Sequence, residues 1–198
     1  MGRPPGFDAT DVVERARDLF WDKGFEATSV PELERATGLN RSSLYNAFSS
    51  KRGLFDAAVR DYLDRVVRPR LRVLTDEPVA ADAAARYFRA LARTVAALPD
   101  DSPRRGCLLL NSAAGLAAHD EAQRAVVAAY RTELATAFAH ALRALDPAAD
   151  GETLAHRVRV LASLSLSTLL LARVDRDEAV ATAETALAQL DEWRASAR

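Results

Sequence analysis

Between positions 40 and 46 the chain carries the polar residue types best suited to contacting another molecule. An arginine such as Arg41 can donate two hydrogen bonds to O6 and N7 of guanine, and an asparagine such as Asn46 can pair with N6 and N7 of adenine. Serine and tyrosine hydroxyls are suited to phosphate oxygens. The candidate residues are Asn40, Arg41, Ser42, Ser43, Tyr45 and Asn46. Together these side chains fit the base edges and the backbone of double-stranded DNA.

Two short predicted helices position these side chains. Residues 29–32 read Ser-Val-Pro-Glu, a capping box with proline in the first turn, so a helix is expected to start at Ser29. It should end at Gly38, and Asn40 is a good N-cap for a second helix ending near Phe48. Two helices joined by so tight a turn are typical of the helix-turn-helix motif, which places its second helix in the major groove of DNA. A helical hairpin inside an ordinary core is the alternative.

The apolar residues of the second helix predict which of its sides turns inward. Leu39 and Leu44 should pack onto the two preceding helices, and Phe48 should pack at the end of the helix. The polar side chains of the same helix are then left to face outward.

Positive charge is concentrated in the same region. The whole chain has a net charge of −1, yet residues 35–52 contain four basic residues and no Asp or Glu, while residues 8–34 contain eight acids. Lys51 lies at a predicted helix start, which favours an anion, and Thr28 and Ser29 precede a helix whose free amides can hold a phosphate. A local patch suffices, because exposed charges more than about 10 Å apart are largely screened.

The sequence does not indicate catalysis. His119, His140 and His156 are scattered without metal-ligand spacing, and no glycine-rich phosphate loop is present. The single cysteine, Cys107, excludes an internal disulfide framework and a cysteine-built zinc site. We therefore expect no catalytic residue, no metal and no cofactor.

Composition and periodicity indicate an all-α protein. The chain has 198 residues, 49% of them hydrophobic and 28% charged, and apolar residues recur at helical spacing. About nine helices are predicted, near 10–23, 29–38, 40–48, 50–74, 79–98, 103–118, 120–145, 152–174 and 177–195. Pro69 should kink or end the fourth, and Ser102 and Pro103 suit the start of the sixth.

The predicted helices divide into two parts. Residues 1–52 should form a helix-turn-helix DNA-binding domain, and residues 53–198 a ligand-binding and dimerisation domain, with the helix of about 50–74 connecting them. The N-terminus is polar and no apolar run approaches the roughly 20 residues that span a bilayer, so a cytoplasmic protein is expected.

Three segments of the chain resemble the N-terminal domain of TetR-type transcriptional regulators. They are Phe20-Trp-Asp-Lys-Gly-Phe-Glu-Ala-Thr-Ser-Val30, Ala36-Thr-Gly-Leu-Asn-Arg-Ser-Ser-Leu-Tyr45 and Phe48-Ser-Ser-Lys51, within a match of about residues 8–60. The resemblance implies an all-helical homodimer, usually a repressor, that binds a palindromic operator and releases it when a small molecule enters the C-terminal domain.

The same resemblance implies roles for single residues. Thr28, Tyr45 and Lys51 match positions that contact phosphates, and positions 41–43 and 46 match those that contact bases. Residues 52–53, Arg-Gly, depart from the family, which often has acidic residues there. Glycine at position 53 should weaken the first turn of its helix slightly.

A ligand pocket is expected in the C-terminal part. Cys107, Leu110, Asn111 and Ala114 recur at i, i+3, i+4 and i+7, so they should share a helix face that suits a small, largely apolar effector with one fixed polar group. The candidate walls are Tyr62, Phe88, Tyr130, Phe138 and Leu164. Plain core packing is the alternative for each of these residues.

Cys107 permits a sharper hypothesis. It follows Arg104 and Arg105 near a predicted helix start, and both features favour a thiolate that could sense oxidants or electrophiles. The alternative is a buried, inert cysteine.

The last two helices are predicted to form the dimer surface. Val180, Ala183, Leu187 and Leu190 recur at spacings of three and four, and the helix before them is rich in Ser, Ala and Leu, which permits close approach. From that helix we assign Leu161, Ser165 and Thr168. Two such helices per subunit would form a four-helix interface that holds the recognition helices about 34 Å apart. Packing within one chain only is the alternative, as is a helical interaction module that does not bind DNA.

Overall fold

All regular structure in the described residues is helical. The structure is a computed structural model, and it describes residues 8–113, 115 and 119–197. The helices are α1 (Ala9–Ala27), α2 (Val30–Thr37), α3 (Arg41–Phe48), α4 (Lys51–Tyr62), α5 (Arg68–Thr75), α6 (Ala83–Ala97), α7 (Leu108–Ser112), α8 (Glu121–Leu145), α9 (Gly151–Leu171) and α10 (Arg176–Ser196), with a π-helical segment at Leu63–Val67. Because α4, the π-helical segment and α5 form one continuous rod, nine rods make up this part of the chain, and the all-α prediction is confirmed.

The predicted starts of α2, α3 and α4 are confirmed by their caps. Ser29 and Glu32 form the reciprocal capping box of α2. The side-chain oxygen of Asn40 accepts a hydrogen bond from the backbone N–H of Ser43 (2.9 Å), and that of Ser50 accepts from Gly53 (3.0 Å). Each cap satisfies an amide that has no partner inside its helix, and this fixes where the helix begins.

Helices α1–α4 pack around aromatic rings. The ring of Phe20 meets that of Phe55 edge-on, with centroids 5.1 Å apart, and Phe25 lies 5.0 Å from Phe55. Leu44 is buried and Leu39 is half-buried against the same core, as the sequence predicted. These contacts hold α3 on the outside of the N-terminal domain.

The remaining helices form a bundle in which α10 packs along α6 and α9, and α9 packs along α8. Tyr87, Phe88 and Phe138 form its aromatic centre, with ring centroids 5.2–5.6 Å apart. By length and composition α9 could cross a membrane, with a mean hydropathy of 1.3, although no apolar run of that length was expected. A core helix of a soluble protein has the same properties, and a third of the apolar stretch of α9 is buried in this bundle.

The predicted helix of 103–118 is wrong at its start. Gly106 has a φ of 78°, which breaks the regular α-helical backbone, so the chain turns through 99–106 and α7 begins only at Leu108, with Cys107 as N-cap. Gly24 (φ 77°, ψ 171°) ends the regular α-helix near the predicted position, and α1 resumes beyond this kink as a short second stretch that reaches Ala27.

Pro69 neither kinks nor ends its helix in the way predicted. The rod continues through it because Pro69 lies in the first turn of α5, where its missing N–H is not needed. The break in regular α-helical hydrogen bonding falls earlier, in the π-helical segment at Leu63–Val67.

The structure gives Gly53 a role beyond weak helix propensity. A Cβ atom at this position would overlap the backbone carbonyl oxygen of Phe48, so α3 and α4 can meet this closely only if residue 53 is glycine. We expect Gly53→Ala to lower the free energy of unfolding by about 1–3 kcal/mol, because overpacking outweighs the roughly 1 kcal/mol gain in helix propensity. Urea unfolding would measure the change.

Gly151→Ala is the matched control. Gly151 is also in the first turn of a helix, but a Cβ there would meet no atom within 4 Å. This variant should be neutral or slightly more stable. Equal stability of the two variants would contradict the close-approach argument.

Candidate nucleic-acid interface

Helix α3 presents a polar face opposite its buried leucine. Asn40, Arg41, Ser42 and Asn46 are exposed, Ser43 and Tyr45 are half-buried, and Leu44 is 3% exposed. The structure therefore brings the predicted base-contacting side chains together on one accessible surface.

Several of these side chains are already oriented. The backbone N–H of Arg41 donates to Glu34 Oε1 (2.6 Å), which ties the start of α3 to the end of α2. The guanidinium of Arg41 lies over the ring of Tyr45, 5.2 Å from its centroid. Stacking against the ring restrains the arginine while its N–H groups remain at the edge of the guanidinium plane, where a base would be met.

The predicted phosphate contacts differ in how accessible they are. Lys51 is half-buried with its ammonium 4.3 Å from the ring centroid of Phe25, and this burial lowers the pKa of Lys51. Thr28 is fully buried, and its hydroxyl donates to the carbonyl of Gly24 (2.7 Å). Ser29 is exposed at the start of α2. In this conformation the side chain of Thr28 is engaged within the protein, which leaves the first amides of α2 as the nearby anion site.

Glu32 links the cap of α2 to α1. A hydrogen bond from Lys23 (2.5 Å), together with those from the backbone and hydroxyl of Ser29, lowers the pKa of Glu32 to about 2. A carboxylate whose pKa is lowered on folding stabilises the fold above its unfolded pKa, and this contribution is lost as the pH falls through the folded value.

We therefore expect the carboxyl group of Glu32 to titrate near pH 2, with the cap of α2 weakening between about pH 4.5 and pH 2. NMR titration of the Glu32 side-chain carbon would measure it. Lys23→Met should move the midpoint upward, because Lys23 is the largest cause of the shift. A midpoint near 4.5 in the unaltered protein would contradict this assignment.

Arg52 belongs to the basic segment of residues 35–52, but its charge is paired inside the protein. Its guanidinium pairs with Asp56 (2.8 Å) and with Asp120, whose Oδ1 lies 3.2 Å from Nη2. Asp120 also caps α8 by accepting from the N–H of Gln123 (2.8 Å). The charge of Arg52 is thus matched by carboxylates, and the pair joins the first turn of α4 to the start of α8.

A second set of hydrogen bonds joins the N-terminal domain to the helical bundle, at the kink in α1. The carbonyl of Trp21 accepts hydrogen bonds from Asn111 Nδ2 and Arg173 Nη1, both at 3.0 Å, and the carbonyl of Asp22 accepts from Arg173 Nη2 (2.6 Å). Gly24 interrupts the helix just after these residues, so their carbonyls can accept from outside it. Asn111 therefore contacts the N-terminal domain rather than offering a free amide to a pocket.

The other predicted pocket residues are packed in the core. Tyr62, Phe88, Cys107 and Phe138 are fully buried, Tyr130 is 4% exposed, and Leu110 and Leu164 are half-buried. Tyr62, Cys107 and Tyr130 are close enough to interact electrostatically, and Phe88 stacks on Phe138. Ala114 lies outside the described residues. Helical spacing marked these residues as inward-facing but did not separate core from cavity.

The predicted dimer residues also point mostly inward. Leu161, Ser165, Thr168, Ala183 and Leu190 are buried within the single chain, and Ser165 shares a hydrogen bond with the hydroxyl of Tyr87 (2.8 Å). Val180 and Leu187 are half-buried. The exposed large apolar residues of this region are different ones, Leu170 (54% exposed) and Val174 (82% exposed).

The family model for the bacterial regulatory proteins of the tetR family matches residues 12–58, which include α2, α3 and the cap between α3 and α4. The chain is 32% identical to the HTH-type transcriptional regulator YezE of Bacillus subtilis over 181 residues, 89% of this chain and 92% of YezE. It is 37% identical to the HTH-type transcriptional repressor ComR of Escherichia coli over 112 residues, 56% of this chain and about half (52%) of ComR.

A solved structure extends the similarity to the whole fold. A cysteine mutant of the TetR-family transcriptional regulator CifR, complexed with 26-bp double-strand operator DNA, superimposes with a TM-score of 0.80 at 32% identity, covering 94% of this chain and 98% of CifR. The similarity covers nearly the whole chain, and α3 of this chain has an exposed polar face. The chain belongs to the TetR family of DNA-binding transcriptional regulators.

Proposed function

We propose that the chain is a repressor that binds a palindromic operator as a homodimer and leaves it when a small-molecule effector binds. The observation that carries the DNA-binding part is the exposed polar face of α3, held outward by the burial of Leu44. ComR is named a repressor, and CifR was solved on operator DNA. We place the protein in the cytoplasm, where such an operator is found.

In this proposal the residues of α3 divide by role. Arg41, Ser42, Ser43 and Asn46 contact bases, because their side chains lie on the outer face. Tyr45, Lys51 and the first amides of α2, at Ser29, hold phosphates. Residues 1–52 act as the DNA-binding domain and residues 53–198 as the sensing and dimerisation domain, with the rod formed by α4 and α5 belonging to both.

The homodimer is supported by apolar surface that the single chain leaves uncovered. Leu170 lies in the last turn of α9 and Val174 in the turn that follows, and only a third of the apolar stretch of this helix is buried within one chain. Pairing through α9 and α10 of two copies would cover that surface and give the two-fold symmetry that a palindrome requires.

Selection of binding sites from random DNA with the purified protein tests the proposal. A palindrome with half-sites about one helical turn apart is expected. Repeating the binding measurement across a panel of metabolites then tests release. If no sequence is enriched, the helical interaction module without DNA binding becomes the better interpretation.

Cys107 supports a second candidate, a repressor released by oxidation or alkylation of the thiol. The supporting observation is its position at the N-cap of α7, within electrostatic reach of the Arg70 guanidinium. Its complete burial opposes this, because a reagent could reach the sulfur only after the protein opens locally. Peroxide and quinone should fail to release the Cys107→Ser protein from DNA if the thiol is the sensor, and release of that variant would reject the candidate.

A further inference from the structure

A cavity of about 220 Å³ lies where the N-terminal domain meets the bundle. Its walls come from α1, the π-helical segment, α5, α6, the loop before α7, and α9. Five aliphatic residues supply most of the apolar lining: Val66, Leu91, Val95, Leu98 and Leu169. The volume is below the roughly 300–1,000 Å³ of sites for drug-sized ligands, so it suits a smaller molecule.

Two of the three arginines that line this cavity are neutralised. Arg17 is buried and pairs with Asp61 (2.7 Å), Asp18 (2.9 Å) and Glu14 (3.1 Å). Arg104 pairs with Asp18 (2.6 Å). These two cations therefore have their charges matched before any ligand binds.

Arg70, the third, has no such match. Within residues 8–113, 115 and 119–197 no carboxylate lies within ion-pair distance of its guanidinium. Its electrostatic neighbours are the thiol of Cys107 and the hydroxyls of Tyr62, Tyr87 and Tyr130, and burial raises the pKa of these three tyrosines, so their hydroxyls carry no negative charge near pH 7. Burying part of a charge without a counter-charge costs free energy, and an anion bound beside Arg70 would offset that cost.

A groove that Arg70 also lines adds to the positive potential. This groove, of about 500 Å³, is lined by Arg70 and by Arg86, Arg89 and Arg93 on α6. In the part of the chain that the structure describes, none of these side chains forms an ion pair. Four unpaired guanidinium groups in one place attract an anion toward Arg70.

The indole of Trp21 is an independent indication of a ligand. Trp21 lines the cavity and is 4% exposed, and its Nε1–H has no acceptor among the described residues. A buried donor without an acceptor is rare, and an acceptor group on an incoming ligand would satisfy this N–H.

We propose that this cavity binds the effector, and that the effector is a small organic anion whose carboxylate accepts hydrogen bonds from Arg70 and Trp21 while its apolar body contacts the aliphatic wall. The inference rests on the proposed function for its regulatory meaning but not for the binding itself. Such a ligand would join α1 to α5, and α1 is the helix whose carbonyls are held by Asn111 and Arg173. Binding there changes the contacts that fix the N-terminal domain on the bundle.

Trp21 provides the readout. The chain contains two tryptophans, and Trp193→Phe leaves Trp21 as the only one. Benzoate titrated into this variant should give a saturable change in Trp21 fluorescence, and benzamide, a neutral molecule of the same shape, should not. Equal binding of the two probes, or no response to benzoate, 4-hydroxybenzoate and phenylacetate at 10 mM, would overturn the proposal.

Arg70→Gln in the Trp193→Phe background should weaken benzoate binding at least about tenfold, because a charge-assisted hydrogen bond is lost. Arg131→Gln, which removes an exposed arginine of α8, should leave binding unchanged. Without ligand, Arg70→Gln should melt a few degrees higher, since an unmatched charge has been removed. Unchanged benzoate binding by a folded Arg70→Gln protein would overturn the site.

Operator binding separates this inference from the proposed function. If the protein binds its selected operator but no carboxylate, the cavity proposal fails and the regulator stands. If benzoate binds through Arg70 and DNA is not released, the site stands and its role as effector site fails.

Discussion

Arg41→Ala is expected to weaken binding to the selected operator by roughly 30-fold or more. The side chain is exposed on α3, is restrained by the ring of Tyr45, and occurs twice in a dimer. A bidentate arginine–guanine pair contributes about 1–3 kcal/mol, so two copies account for about 2–6 kcal/mol. Fluorescence anisotropy with labelled operator DNA measures the loss.

Lys51→Ala separates base contacts from phosphate contacts. It should weaken binding to all sequences alike and reduce the dependence of log K on log salt by about one per lysine removed. Arg41→Ala should instead relax the preference at one base pair in each half-site. An unchanged sequence preference after Arg41→Ala would show that this residue does not contact a base.

Leu170→Glu is expected to convert the dimer to a monomer and to reduce operator binding on the order of 100-fold. At 54% exposure the change costs little in the single chain, but at a dimer interface it buries a charge without a partner, for about 3–5 kcal/mol. Light scattering should then report the chain mass of 21.5 kDa instead of twice that value.

Ala125→Glu on α8 is the matched control, because Ala125 is an exposed apolar residue of another helix. Both variants should melt at similar temperatures once the loss of the dimer is allowed for, and only Leu170→Glu should change the mass. A dimeric Leu170→Glu protein would move the interface away from the end of α9.

The start signals of the helices could be predicted because they depend on residues close in sequence. Ser29, Asn40 and Ser50 each cap a helix by accepting from an N–H three residues later, so the pattern contains all of the chemistry needed. The outward face of α3 followed from the same local information, since Leu44 can be buried only if the polar side chains are not.

Contacts between distant parts of the chain could not be predicted in this way. Helical spacing grouped Asn111 with Cys107, but the partner of Asn111 is a backbone carbonyl 90 residues away in α1. Ser165 suited a close helix–helix contact, and it makes one with Tyr87 of the same chain rather than with a second copy. Arg52 looked like part of a basic patch until the fold brought Asp120 to it. Periodicity identifies the buried face of a helix but not which element covers it.

The π-helical segment between α4 and α5 limits how this protein can be recombined with its relatives. Each extra residue in a helical rod turns everything after it by about 100° about the helix axis, because an α-helix has 3.6 residues per turn. A DNA-binding domain taken from a relative with an uninterrupted α-helix, if joined at Tyr62 with the segment omitted, would therefore rotate Arg70 and Leu71 out of their present places. Chimeras should be joined before Leu63 with Leu63–Val67 retained, so that the π-helical segment is inherited with the sensing domain whose geometry depends on it.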